Sequence, residues 1–461
     1  MADMMEPDDP REDDDYALDN RTVAAIQDAV EAHDADLLDT LMGPLHAADI
    51  ADLLEQISGS ERRALIALWP RGIDGEILSE LDESIREEVI AALSPEALGD
   101  AVRELDSDDV VDLIEDLEEP QQTAILDALE DADRAAVEQS LTYPEYSAGR
   151  LMQREVVMAP EDWTVGAAID HMRGNKTKLP EQFYHVILID PRMKPVGYVT
   201  LGKILSTKRS VKLTEIVEDS FRTISVLEDE GDVAYAFNQY HLISAPVVDR
   251  HDRLVGVITI DDAMAVLDEE HEEDILRLAG VGEGSLADSV LETSKQRLPW
   301  LAVNLVTAIL SAVVISQFAG AIEKIVALAV LMPIVASMGG NAGTQGLTVA
   351  VRAIATRDLT AANIWRVVRR EATVGLINGF VFALIMGTVG WIWFGLPKIG
   401  LVLAAAMIVN LVTAGLAGIL VPVTLEKLDL DPALASGTFV TTMTDVIGFS
   451  AFLGLATVFL L

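Results

Sequence analysis

Acid and hydrocarbon are segregated along this 461-residue chain: nearly all of its carboxylates precede Arg297, whereas Pro299 to Leu461 is dominated by Ala, Val, Leu, Ile and Gly. A formal charge of −42 and an apolar share of 50% cannot belong to one globular surface. The length also exceeds what one hydrophobic core usually holds. The sequence therefore reads as multidomain, with an acidic, water-soluble part followed by a part that water does not solvate.

So acidic a soluble part repels phosphate backbones, which excludes nucleic acid as a partner, and attracts cations. Acidic surfaces also arise as an adaptation to salty cytoplasm, so only carboxylates in particular places argue for ligands. The chain has no Cys, which excludes disulfides, thiolate metal centres and thiol catalysis. Residues 1–20 lack a basic region followed by an apolar run, and read as a disordered acidic tail rather than a signal peptide. No phosphate loop, nucleophile elbow or His-rich motif is present, so the chain does not read as an enzyme.

Apolar runs near the ~20 residues that cross a lipid bilayer begin around Pro299, Ile325, Thr373, Gly400 and Ala433. Lys295 and Arg297 precede the first; Arg352, Arg357, Arg366, Arg369 and Arg370 fill the connection between the second and third. By the positive-inside rule both flanks face the cytoplasm. The N-terminal half is then cytoplasmic, Gln317 to Lys324 lies outside, and five spans leave Leu461 outside the cell membrane.

Two places in the spans resist a purely apolar reading. In Met332 to Gln345, Pro333, Gly339, Gly340 and Gly343 are expected to interrupt the helix, and Asn341 and Gln345 add polar groups. Broken backbone at this depth is tolerated where it is buried in protein or lines a wet cavity, although small residues also serve close helix packing. In the last span Asp445, just after Thr441, Thr442 and Thr444, is the one acid well inside a span as bounded here. A charge there costs at least ~2.5 kcal/mol on insertion scales and survives where it faces water, an ion or a partner. No basic residue in the spans offers a salt bridge, so a cation is its natural partner. Hard oxygen donors suit Mg²⁺, Ca²⁺ or Mn²⁺, and Asp445 with Gly340 and Asn341 is the candidate pore site.

Before the membrane, residues 21–141 read as short amphipathic helices in a small superhelix. Residues 151–212 and 213–272 alternate strand and helix as an internal repeat: Val186 to Leu205 is echoed by Ala245 to Met264, with Asp190 answering Asp249 and Gly197 answering Gly256. The pair resembles CBS motifs, an α/β regulatory module that binds nucleotides or ions. A Gly-x-x-Thr-x-x-Asp segment in such modules holds an adenosine ribose, and the second copy has Gly256, Thr259 and Asp262; Lys203 takes the Asp place in the first. The acid run from Asp268 to Asp274 is either a solvated helix face or a divalent-cation site.

The order of helical domain, CBS pair, linker (residues 273–296) and five-helix transmembrane domain (297–461) resembles the MgtE family of magnesium channels. Pro333 with Gly339 to Gln345, Arg352 to Leu359, Asp431 to Leu434 and Thr444 to Gly448 carry the resemblance. It implies a homodimer with its pore between the subunits, Mg²⁺ as the transported and regulatory ion, the central ion held by Asp445, and a linker helix that closes the pore when cytoplasmic Mg²⁺ is high. It also implies sensor carboxylates at Glu76, Asp108, Asp112, Asp229, Asp262, Glu270, Glu273, Asp274 and Asp431, with ATP as an optional ligand of the CBS pair. His241 and Ala265 stand where the family places two further sensing carboxylates, and Thr344 where it places a second amide. A cation-coupled divalent-metal exchanger and a nucleotide-sensing membrane module are the alternatives.

Overall fold

The computed structural model describes residues 18–461 except 104, 116, 118, 176–178, 181, 219, 220, 282–289 and 429, and only the backbone of 83, 84, 292, 435 and 436. Most of the expected acidic tail and the middle of the expected linker lie outside the described residues. The chain divides into two compact units, Met1–Asp268 and Glu269–Leu461.

The first unit opens with ten short helices between Asn20 and Ser140. Their starts are written in the sequence. Ser58 and Glu61 form a reciprocal cap at one N-terminus, and Asp34, Asp74 and Ser94 each accept a backbone N–H at others. Apolar side chains at helical spacing, such as Ile50, Leu53 and Leu54, or Val110, Leu113 and Ile114, converge on one continuous core. Two buried arginines tie successive turns of the superhelix: Arg62 reaches the Ile57 carbonyl (3.3 Å) and Glu88 (2.6 Å), and Arg86 reaches the Leu81 carbonyl (3.0 Å) and Asp112 (2.8 Å). In the second set both partners are shifted along the chain by the same interval, which marks a structural repeat.

Two three-stranded sheets follow. In the first, β1 (Met158–Pro160) runs parallel to β2 (His185–Ile189), which pairs antiparallel with β3 (Pro195–Thr200). β4 (Ile224–Ser225), β5 (Ser244–Val248) and β6 (Leu254–Thr259) repeat the order, with the register break at the matching place. Asp190 and Asp249 shape the two hairpin turns: each accepts two backbone N–H groups of its own turn, at 2.7 and 2.8 Å and at 2.8 and 2.9 Å. The helix after β6 runs unbroken from Ile260 to Leu278, past the end of the second CBS motif as the sequence bounds it.

Among the described residues, the second unit carries five helices long and apolar enough to cross a membrane: Val290–Ser316, Ala327–Ala355, Ile364–Phe394, Pro397–Glu426 and Pro432–Leu460, referred to below as the first to fifth spans. Three expectations need correction. The second span is one continuous helix through Pro333 and its glycines, because Gly339 and Gly343 are contact points for neighbouring helices rather than breaks. The third span begins at Ile364, so Arg366, Arg369 and Arg370 lie on its first turns, where long cationic side chains extend a helix into the interface. That longer helix also takes in Glu371, so Asp445 is not the one acid within the spans.

Candidate ion sites

The fourth span is central in its unit, packed against the second, third and fifth. The second and fifth spans also meet, and two contacts set their register. Gly339 and Gly448 both abut Asn410 of the fourth span, and Gly343 faces Val440 and Thr444. Ascending one helix therefore descends the other, and Gly340 and Asn341 come level with Asp445. Gly340 has open space where a side chain would start, Asn341 is exposed and Asp445 is half-buried. The Gly340 carbonyl accepts from the Thr344 hydroxyl at 3.0 Å, and the Asn341 amide lies 3.5 Å from Ser337 Oγ.

Around Asp445 the polar groups are spoken for. Thr441, Thr442 and Thr444 each donate to a carbonyl of their own helix at 2.6–2.9 Å, and Thr438 donates to Asn304 Oδ1 of the first span at 2.7 Å. The Asp445 carboxylate, in contrast, has no hydrogen bond or ion pair among the described residues. Glu371, missed by the sequence reading because its span was begun too late, is mostly buried and lines a groove with Gln345 and Asn378; its nearest cation is Arg370 at 3.7 Å.

In the first unit the structure brings Asp108 and Asp262 together and adds Asp106, Asp109 and Asp261. Asp108 is buried at the start of helix Ser107–Glu115. Burial, then the carboxylates of Asp262, Asp109 and Asp106, hold its carboxyl well above the ordinary range. Burial and then Asp262 push Asp109 up to about 7, and burial raises Asp262 to about 6 against the hydrogen bond from Thr259, which pulls it down. Asp108, Asp109 and Asp262 are desolvated and face acids of their own sign, with Asp106 and Asp261 at the exposed edge, a donor set suited to a hard divalent ion. No three His, Asp or Glu side chains among the described residues converge as a finished coordination shell.

Most of the remaining candidates have structural partners. Asp112 pairs with Arg86, Asp229 caps helix Glu230–Tyr240, accepting from Gly231 N at 3.1 Å, and Glu76 is exposed on helix Gly75–Ser79. His241 ends the Glu230–Tyr240 helix in the left-handed region (φ 53°). In the second unit Glu273, Asp274 and Asp431 gather at the foot of the fifth span, around a cation that sequence spacing did not reveal. Arg277 lies 2.7 Å from Glu273 and 3.3 Å from Asp431, while burial and then Asp431 raise Asp274. Asp431 also caps the fifth span, accepting from Ala433 N at 2.6 Å; Glu270 is exposed on helix Ile260–Leu278.

For the nucleotide candidates, Thr259 donates its hydroxyl to Asp262 at 2.5 Å, and a side chain at Gly256 would run into Met152 and the Gln153 carbonyl. The cleft between the two sheets, lined by Glu155, Tyr184, His185, Ser244 and Thr259, holds a cavity of only about 20 Å³, bridged by His185 Nδ1 and Ser244 Oγ at 2.5 Å.

Comparison with known proteins matches three family models: the MgtE intracellular N domain over residues 45–146, the CBS domain over 148–209 and 214–269, and MgtE, a divalent cation transporter, over 332–455. The magnesium transporter MgtE of Thermus thermophilus is 30% identical over 446 residues, 95% of this chain and 98% of that one. That of Enterococcus faecalis is 32% identical over 324 residues, 70% and 71% of the two chains. A crystal structure of the cytosolic domain of the Mg²⁺ channel MgtE in complex with ATP is similar at 27% identity and a TM-score of 0.49, covering 53% of this chain and 99% of that one. With helical domain, CBS pair and membrane helices matched in the same order, and with one relative aligned almost end to end, the chain belongs to the MgtE family of divalent cation transporters.

Proposed function

We propose that this multi-pass membrane protein conducts Mg²⁺ into the cell across the cytoplasmic membrane, working as a homodimer, and that cytoplasmic Mg²⁺ bound by its acidic half closes it. The observation that carries the reading is Asp445, a carboxylate in a membrane span without a protein partner among the described residues. A charge in that setting is sustained by an ion or by water. Level with it, Gly340 leaves room for a hydrated ion and Asn341 offers an amide oxygen. Mg²⁺ sheds water reluctantly, so one carboxylate and a few neutral oxygens around a largely hydrated ion suit it.

A second copy completes the site. The second span leaves Ser337, Asn341, Thr344 and Thr348 exposed along one face, and the first span is almost wholly exposed. Polar side chains facing lipid tails are unfavourable, whereas a two-fold axis beside this face sets two copies of Asp445 about one water-filled path. The arginines at the start of the third span support a cytoplasmic N-terminal half and a Leu461 outside.

The sensor is assigned to Asp108, Asp109 and Asp262, with Glu76 and Asp112 on the helical domain, Asp229 on the CBS pair, and Glu270, Glu273, Asp274 and Asp431 toward the membrane. Without metal Asp108, Asp109 and Asp262 repel one another. A divalent ion that binds one arrangement better shifts the population toward it. The division into residues 21–141, 151–212, 213–272, 273–296 and 297–461 is the matching domain plan. ATP at Thr259 and Asp262 requires the cleft near His185 to open, since about 20 Å³ does not admit a nucleotide.

The test is Mg²⁺ uptake into liposomes driven by membrane potential alone. Uptake by the wild type with no Na⁺ or H⁺ gradient supports a channel over an exchanger, and loss of uptake in Asp445→Ala supports the site. Undiminished flux in that variant would remove Asp445 from the pathway.

A further inference from the structure

Asn410 sits in the middle of the fourth span, completely buried among apolar side chains. Its Nδ2 donates to the carbonyl of Val335 on the second span at 2.6 Å, while its Oδ1 has no hydrogen-bond partner. The fit is close on both sides. A methyl group at Gly339 would lie 2.3 Å from Asn410 Nδ2, and one at Gly448 of the fifth span would lie 2.8 Å from Oδ1. One carboxamide is thus clasped between two helices, and each clasping residue adjoins a candidate pore residue: Gly339 precedes Gly340 and Asn341, and Gly448 stands one turn beyond Asp445.

Packing alone does not call for an amide here. A Leu of similar volume would fill the space without leaving an acceptor unpaired, and the Val335 carbonyl belongs to a helix that supplies its own bonds. What the amide adds is direction. A hydrogen bond fixes the second span against the fourth at one point, whereas apolar contacts allow sliding, and the flat carboxamide seats Gly448 on its other face.

We infer that Asn410 is a positioning residue of the ion pathway: by holding Gly339 and Gly448 against one side chain it sets the spacing between the Gly340–Asn341 backbone and the Asp445 carboxylate, and so which hydrated cation fits. The inference rests on Asp445 being the pore carboxylate. Its consequence is selectivity. Without the clasp the two helices separate or slide, and a site sized for a hydrated Mg²⁺ admits the larger, more loosely coordinated Ca²⁺.

The experiment measures Mg²⁺ and Ca²⁺ uptake into liposomes by the full-length protein as wild type, Asn410→Leu, Asn410→Ala, Gly448→Ala and the double variant Asn410→Ala/Gly448→Ala, with thermal stability of each in detergent. One intramembrane hydrogen bond, converted to a ratio, corresponds to roughly three- to tenfold, so the Mg²⁺/Ca²⁺ uptake ratio should fall by that much in both Asn410 variants and in Gly448→Ala. The double variant, in which the added methyl refills vacated space, should regain thermal stability but not the ratio. Recovery of the ratio in the double variant would reduce Asn410 to a space filler and overturn the inference, as would wild-type ratios in the folded single variants. Asp445→Ala is measured alongside: if it leaves flux intact, the pore reading fails, whereas lost flux there with an unchanged ratio at Asn410 sinks this inference alone.

Discussion

Asp445 and the Asp108 group pose the same electrostatic problem in two solvents. In the membrane a single unpaired carboxylate carries an insertion penalty of at least ~2.5 kcal/mol, so Asp445→Asn, which keeps an oxygen ligand and discards the charge, should raise the melting temperature in detergent while Mg²⁺ uptake falls tenfold or more. A variant that loses stability and uptake together would mark Asp445 as a structural residue. In the first unit the penalty is paid by protons. Asp109 and Asp262, at about 7 and about 6, hold protons in the folded state that the unfolded chain releases near its ordinary carboxylate value. The folded state therefore binds more protons between roughly pH 4 and 7, and stability from these groups is full below that window and is lost as pH rises through it. Divalent ions compete for the same oxygens, so protection of the N-terminal half from protease by Mg²⁺ should be large at pH 8 and small at pH 5.5. Equal protection at both would mean that these carboxylates are not the ligands.

At the scale of single elements, the helix Ile260–Leu278 and the cap of the fifth span are joined by Arg277, whose guanidinium stands where a metal ion would bridge Glu273 and Asp431. Partly exposed pairs of this kind contribute about 0–1 kcal/mol, so Arg277→Gln should lower stability by no more than that without metal. The deficit should shrink in Mg²⁺, because the ion takes over the neutralising role; melting curves with and without Mg²⁺ read it directly, and a deficit that Mg²⁺ leaves untouched would rule out a metal site there. Arg277 was invisible in the sequence because it looks like one more end-of-helix cation, and its second partner is distant in the chain. The same limit explains what else was missed. The short helices before the strands, the doubled strand pattern and five spans follow from periodicity, and Asp445 stands out by its apolar neighbours. The continuity of the second span does not, since Gly339 and Gly343 look like helix breakers until Asn410 and Val440 are seen to fill the grooves beside them. Asp109 was passed over because, in so acidic a chain, only burial separates a ligand from a solvated face, and the exposed Asp106 and Asp261 because only the fold brings them beside it.

For the molecule as a whole, that separation divides two explanations of how metal would act on the acidic half. If repulsion among buried carboxylates drives it open, then charge is what matters and removing charge should mimic metal. If coordination geometry holds it closed, removing the ligands should abolish closure. Asp108, Asp109 and Asp262 discriminate, because their raised proton affinities show that each already resists ionisation in the folded arrangement. Neutral amides at all three positions keep the volume and most hydrogen bonds while discarding the charge. The full-length triple variant Asp108→Asn/Asp109→Asn/Asp262→Asn should resist protease in the absence of Mg²⁺ as the wild type does in its presence, and its Mg²⁺ uptake should be low and insensitive to Mg²⁺ on the cytoplasmic side. A variant that stays protease-sensitive with or without Mg²⁺, and conducts without inhibition, would show that the ion acts by coordination and not by relieving repulsion. The remainder of the acidic surface supplies the control. Neutralising an equal number of exposed carboxylates away from this cluster, such as Asp36, Asp100 and Asp133, removes the same formal charge from solvated positions, where salt screens it, and should leave both protease pattern and uptake as in the wild type.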